Sequence, residues 1–223
     1  MAGRGNILYV LHKLLGVYLF CGIGGFLIET VWCWIDFQKF TSRTSNLFFP
    51  ISCVWGIGGV GLYILTRKNR WNKGSYIFLK CTVLGTLFEF LCGYLGEKFF
   101  EVTFWDYTGM PLHIGKYINL PFCLIWGALG VLWVKKIYPL MKSNRNPMRK
   151  NCKKAGINLF LIFMISSQLF TGMTLLRMRE RQQGIYARNG IERMLDACFT
   201  DQLLQKFFPK MKNSVTNEKI YVR

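Results

Sequence analysis

Acidic residues are scarce in this 223-residue chain: 11 Asp and Glu stand against 29 Lys and Arg, for a formal net charge of +18. There are only two histidines, His12 and His113, and they lie far apart. That leaves no His-rich metal cluster and no Ser/His/Asp arrangement, and a lone histidine is usually a hydrogen-bonding surface residue. The eight cysteines (Cys21, Cys33, Cys53, Cys81, Cys92, Cys123, Cys152 and Cys198) include no C-x-x-C pair. Neither a disulfide framework nor a zinc spacing is visible. Most of them fall inside apolar runs, where cysteine behaves as a small hydrophobe. No G-x-x-x-x-G-K-[ST] run occurs, so if ATP drives this protein, another chain binds it. No small-x-small cleavage site follows Arg4, and Phe20 before Cys21 spoils a lipoprotein signal. The first apolar stretch therefore reads as an uncleaved helix.

Apolar residues make up 52% of the chain, and its mean hydropathy is +0.23. Soluble domains also reach about half apolar, so distribution decides. The apolar residues gather into runs of about 20 separated by basic clusters, which is the pattern of membrane spans. Five runs stand out: Leu14 to Ile35, Pro50 to Leu65, Tyr76 to Phe100, Leu120 to Tyr138 with Pro139 ending it, and Ile157 to Leu176. Lipid offers backbone groups no partner, so these runs should be helices. The expected fold is an all-α polytopic transmembrane bundle of about five spans plus a C-terminal amphipathic helix. Its parts are a core over 1–140, a basic connection with a fifth helix over 141–176, and a basic tail over 177–223.

Within the apolar part, only Phe104 to Asn119 looks irregular. Such backbone survives at membrane depth only when buried in protein or lining a cavity; otherwise it is a loop outside the bilayer. The connections holding Arg67, Lys68, Arg70 and Lys73, and Lys142, Arg145, Arg149, Lys150, Lys153 and Lys154, lie on the side of the N-terminus. By the positive-inside rule that side is cytoplasmic. Five spans would then put the tail outside, against its opening Arg177, Arg179 and Arg181; either the span count is off by one or the fifth run does not cross. Positive charge placed this way reads as topology signal and contact with anionic lipid, not as a nucleic-acid footprint. In the tail, Ile191, Met194, Leu195, Cys198, Phe199, Leu203, Leu204, Phe207 and Phe208 keep helical spacing until Pro209. That helix can lie on the membrane, dock on a partner or pack on its own chain.

Glu29 and Glu89 are the strongest candidate site residues. A charge near the bilayer centre costs roughly 3 kcal/mol on insertion scales. Gly22 and Gly25 share a helix face with Glu29, and Gly85 and Gly93 share one with Glu89. Small residues let helices approach closely, so both carboxylates should face the protein interior. They read as an ion or proton site or a polar contact for substrate, or as structural hydrogen bonds between helices. Glu97, Glu101, Asp106 and His113 could together hold a divalent cation, or could be a solvated helix end paired with Lys98 or Lys116. The run Gly56, Gly58, Gly59, Gly61 lacks the strand that a dinucleotide fingerprint needs and reads as close helix packing.

Phe20 to Pro139 also carries an ordered set of motifs. Glu29 is followed by Ser42-Arg43-Thr44-Ser45-Asn46-Leu47, then Pro50 and Val54-Trp55-Gly56-Ile57-Gly58. Glu89-Phe90, Glu97, Trp105-Asp106-Tyr107, Asn119-Leu120, Trp126-Gly127 and Pro139 follow. This stretch resembles the CmpB-like ABC-transporter type IV permease family. It departs from the pattern at Phe49, where Gly is usual, at Cys53, where Pro is common, and at Lys116, near a usual Arg. Lys keeps the charge but loses the bidentate fork. The resemblance implies a multi-pass permease of the cell membrane with no cofactor of its own. Its partners would be the lipid bilayer, a separate ATP-binding subunit and, as a further option, other copies of the chain. Glu29, Glu89, Glu97, Trp105, Asp106, Tyr107, Lys116 and Asn119 would line the path of substrate or ion. Two other functions fit the residues. One is an intramembrane enzyme on a lipid-linked substrate, with Glu89, Glu97 and Asp106 as acid and base. The other is a non-catalytic scaffold or sensor acting through the tail.

Overall fold

The computed structural model describes residues 2–38, 40–68, 73–143 and 151–221. Among them, four helices are long and apolar enough to cross a membrane, Val10–Ile35, Gly74–Phe100, Leu120–Leu140 and Ala155–Gln182, and Cys53–Arg67 is a shorter apolar helix. Their outward faces carry exposed Phe20, Leu27, Trp32, Leu79, Val83, Leu87, Leu159, Ile162 and Leu169. An apolar exterior of this extent suits lipid rather than water, and the chain is an α-helical membrane protein. The helices are α1 (Ala2–Phe37), α2 (Cys53–Lys68), α3 (Gly74–Phe100), α4 (Leu120–Leu132), α5 (Tyr138–Ser143), α6 (Asn151–Gln182), α7 (Gly190–Cys198) and α8 (Asp201–Phe207). Arg70, Arg145, Arg149 and Lys150, from the basic connections that set the expected orientation, lie outside the described residues, as does Arg223 at the end of the tail.

Two antiparallel hairpins, α1–α2 and α3–α4, make the core, and each packs far more closely within itself than against the other. Glycine explains the closeness. A Cβ on Gly25 would strike the Trp55 ring, one on Gly56 the Tyr18 ring, and one on Gly59 the Cys21 sulfur. In the second hairpin a Cβ on Gly85 would strike the Trp126 ring, one on Gly127 the Phe78 ring, and one on Gly130 the Cys81 sulfur. The matched positions keep fixed spacing. Cys21, Gly25 and Glu29 correspond to Cys81, Gly85 and Glu89, and Pro50, Trp55, Gly56 and Gly59 to Pro121, Trp126, Gly127 and Gly130. The hairpins are two copies of one unit, running in the same direction. Glu29 precedes Trp55 by 26 residues and Glu89 precedes Trp126 by 37, so the second copy has the longer connection.

The segment between α1 and α2 corrects the expectation that only Phe104 to Asn119 is irregular. Ser52 donates its backbone N–H to Gly22 O at 3.0 Å, and Gly22 is halfway along the Val10–Ile35 span. The second apolar run therefore does not cross alone: α2 starts level with the middle of α1, and residues 40–52 lie beside the other half. Their backbone needs partners there, and finds them in α6. Asn46 Nδ2 donates to Ser167 Oγ and Gln168 Oε1, both at 3.0 Å, and Leu47 N donates to Thr171 Oγ1 at 3.2 Å. Asn46 Oδ1 accepts from the N–H groups of Phe48 and Phe49, and Thr44 Oγ1 donates to Asn46 O.

Pro139 does not end the fourth run, as its place after Tyr138 suggests. Its missing N–H leaves the ladder one bond short. The helix passes that point by a π-helical turn over Trp133–Ile137, in which Tyr138 N–H donates to Trp133 O, and continues as α5.

The tail docks at the end of α3. Arg179 pairs with Glu101 at 2.6 Å, and strand β4 (Lys212–Asn213) pairs antiparallel with β1 (Val102–Thr103) at the end of α3. The tail thus sits at the same end of the bundle as residues 104–119. Two of its arginines are held by acids of the tail itself, Arg177 by Asp196 and Glu180 and Arg181 by Asp196 and Asp201. The amphipathic stretch is two helices, not one. Asn189 caps α7 and Thr200 caps α8, each side chain accepting a backbone N–H one turn on. Leu195 and Leu204 are buried. Leu204, Phe208, Met211 and Ile220 form a core with Leu47, Val102, Leu175 and Met178. Most of this apolar face packs on its own chain, and Ile191 and Met194 remain exposed.

Candidate functional site

The two expected carboxylates sit in equivalent places on α1 and α3, one turn beyond Gly25 and Gly85. Trp55 fills the space that the missing Gly25 side chain leaves, and its Nε1–H donates to Glu29 Oε1 at 2.5 Å. Trp126 does the same over Gly85, and its Nε1–H donates to Glu89 Oε2 at 2.8 Å. The two indoles meet across the hairpins with centroids 5.5 Å apart and planes inclined by 36°. Each carboxylate takes a second bond from the segment that follows its helix. Arg43 Nε–H donates to Glu29 Oε2 at 2.9 Å. Tyr107 O–H donates to Glu89 Oε1 at 2.7 Å, while its ring stacks on Phe122 at 5.1 Å. Glu89 is only 8% exposed.

Tyr107 is thus the one residue of the Trp105-Asp106-Tyr107 run that reaches an intramembrane carboxylate. Burial, then the nearby Glu89 carboxylate, push its phenol well above the ordinary tyrosine value. It acts here as a donor. Asp106 turns back on its own turn and accepts from Thr108 N at 3.0 Å and Thr108 Oγ1 at 2.7 Å. Burial raises the Asp106 carboxyl, but these bonds outweigh it and hold the group below the usual Asp value. Glu97 forms a separate cluster: Lys116 Nζ lies 3.2 Å from Oε1, and Tyr117 O–H donates to Oε2. Tyr117 packs where a Gly93 side chain would be, and its ring meets Trp105 at 6.1 Å. Asn119 donates from Nδ2 to Pro111 O at 2.9 Å. The Trp105 indole N–H and Asn119 Oδ1 are buried without a partner.

Among the described residues, no three of His, Cys, Asp and Glu come together in a way that could hold a metal ion. The four groups considered for a divalent cation disperse. Glu97 goes to Lys116, Glu101 to Arg179 and Gln183, Asp106 to Thr108, and His113 Nδ1 to Gly115 O at 3.1 Å.

The expected site residues therefore fall into two groups. Glu29, Glu89 and Tyr107 belong to the centre between the hairpins, and Glu97, Trp105, Lys116 and Asn119 to the loop end of α3, with Asp106 at its rim. Sequence reasoning left out of the site the residues that organise the centre, Arg43, Trp55 and Trp126. Their signal was available in the repeated Trp-Gly pair and in an arginine set in a short polar run between two apolar ones.

A family model described as putative ABC-transporter type IV matches residues 16–172. That range contains the first hairpin from Gly16 on, the second hairpin, the 40–52 segment and the part of α6 that holds Asn46. Neither the curated proteins nor the solved structures include a match to the chain.

Proposed function

The chain belongs to the putative ABC-transporter type IV family, and from that premise we propose that it is the membrane-embedded component of a transporter for a small substrate. One observation supports this above the others: two intramembrane carboxylates, each anchored by an indole, flank the contact between two hairpins. Carboxylates are costly in a bilayer and, where retained, mark substrate and ion paths. Packing alone would be served as well by leucine at both positions.

In this reading Glu29 and Glu89 line the path at mid-depth, and Tyr107 closes it toward the loop end. Glu97, Trp105, Asp106, Lys116 and Asn119 form the rim that substrate meets first. The buried, unpartnered N–H of Trp105 and Oδ1 of Asn119 supply one donor and one acceptor there. The basic connections face the cytoplasm of a cell membrane. Energy comes from a separate ATP-binding subunit docked on that side, because the sequence has no phosphate loop.

The test is affinity purification of the full chain in mild detergent, with mass spectrometry of what accompanies it. A stoichiometric ATP-binding subunit is the expected result. A chain that purifies alone or only with its own copies overturns the ABC assignment and shifts weight to intramembrane chemistry at Glu89. Glu89→Gln should leave the complex assembled and abolish transport, and full activity in that variant would remove the carboxylate from the mechanism.

A further inference from the structure

The two hairpins are copies, so a difference between matched positions shows what each copy has become. Glu29 and Glu89 share the helix position, the glycine one turn before and the indole donor. They differ in the second donor. Glu29 receives a guanidinium, Arg43, and its charge is compensated inside the protein. Glu89 receives a phenol, Tyr107. Both hydrogen-bond donors to Glu89 are neutral, and it is the more deeply buried of the two.

Among the described residues, the other groups in its field do not supply the missing charge. Glu29 faces it from α1 and is itself an acid. Cys92 lies on its own helix, with Cys53 of α2 beyond. Arg43 is felt at Tyr107 but gives its Nε–H to Glu29. A buried carboxylate held only by neutral donors is unfavourable unless a positive charge joins it.

We infer that the duplication has divided its two carboxyls: Glu29 is a fixed anion neutralised by Arg43, and Glu89 is the exchangeable site, taking one positive charge as a proton or a monovalent metal cation. This deepens the transporter reading, since it names the ion that would move or couple through the centre. Its test does not depend on transport or on any partner.

The experiment treats the purified full chain in detergent with dicyclohexylcarbodiimide and maps the modified peptides by mass spectrometry. The carboxyl O–H adds across the carbodiimide and rearranges to an N-acylurea, so labelling reports a carboxyl that carries a proton in an apolar setting. Labelling is run near pH 6 and near pH 8, each with sodium chloride or with choline chloride, because a proton and a metal cation compete for one carboxylate. Glu89 should be labelled well above Glu29, whose carboxylate is held by Arg43. Glu89→Gln should lose that peptide's label. Protection by sodium at the higher pH identifies a metal cation as the occupant, and labelling that falls with pH alike in both salts identifies the proton.

Arg43→Gln makes the first copy resemble the second, so Glu29 should then label to an extent similar to Glu89. Equal labelling of Glu29 and Glu89 in the wild-type chain overturns the division, and so does an unlabelled Glu89 under all four conditions. The wild-type comparison stands even if Arg43→Gln fails to fold. A negative result here leaves the subunit assignment untouched, because co-purification tests that separately.

Discussion

Replacing Tyr107 by Phe removes one oxygen from the centre and leaves nearly everything else in place. The ring keeps its stack on Phe122 at 5.1 Å, and Glu89 keeps the indole of Trp126 at 2.8 Å. What disappears is the 2.7 Å bond to Oε1 of the buried Glu89. A hydrogen bond to a charged group contributes about 1.5–3 kcal/mol. In a chain of this size each kcal/mol moves the melting temperature by about 2–4 °C, so Tyr107→Phe should lower it by about 3–12 °C. The assay is thermal unfolding in detergent, followed by light scattering or by the exposure of buried thiols. Trp126→Phe should act in the same direction through the other oxygen. The double variant should depart from the sum of the two, because both donors meet the same carboxyl group. A Tyr107→Phe variant that melts within about 1 °C of the wild-type chain would refute the claim that this bond anchors the second hairpin.

Alanine at Gly25 or Gly85 should destabilise each hairpin by at least about 1–3 kcal/mol, the usual cost of overpacking, because the new methyl meets an indole ring. Alanine at Gly24 or Gly61, which face open space, should be tolerated, and thermal melts of the four variants check the contrast. Asn46→Ala should free the 40–52 segment from α6, stranding buried groups at about 1–3 kcal/mol each; it is read by faster hydrogen exchange at Leu47 to Phe49. The cap formed by the tail should loosen in acid. The hydrogen bond from Arg179 holds Glu101 below the ordinary Glu value, and the one from Arg177 holds Asp196 below the ordinary Asp value. Carboxyls with depressed values stabilise the fold above their unfolded pKa of about 4 and lose that contribution as pH falls through the lower folded one. Melting temperature should therefore drop below about pH 4, and Asp196→Asn should flatten that part of the curve.

The membrane class, four of the helices and the inward turn of the two glutamates could be read from residues alone, because each rests on a local signal: a long apolar run, or an acid on a glycine face. Features that depend on a distant partner could not. The Ser/Thr/Asn cluster of residues 41–46 marks a break, but does not tell that the break lies beside α1, where Ser167, Gln168 and Thr171, more than a hundred residues later, bond to it. Pro139 reads as a terminator unless one knows that Tyr138 can bond to Trp133 O. Arg177 and Arg181 at the start of the tail have no visible partners until Asp196 and Asp201 fold back to meet them. The duplication escaped notice because the second connection is longer, which shifts the Trp-Gly pair out of step with the glutamate before it. The site was legible at its carboxylates and hidden at their donors, since Trp55, Arg43 and Trp126 become donors only once the hairpins close.

The pairing of β4 with β1 sets an order of events in biogenesis. Val102 and Thr103 leave the ribosome long before Lys212 and Asn213, their partners. Each hairpin is made of neighbours in sequence and can close as it is inserted. The edge at the end of α3, by contrast, stays unpaired until the chain has been made as far as Asn213, and contacts of that sequence separation form slowly. The bundle should thus pass through a stage in which both carboxylate units are assembled and the loop end is still open. Lys212 and Asn213 then close it.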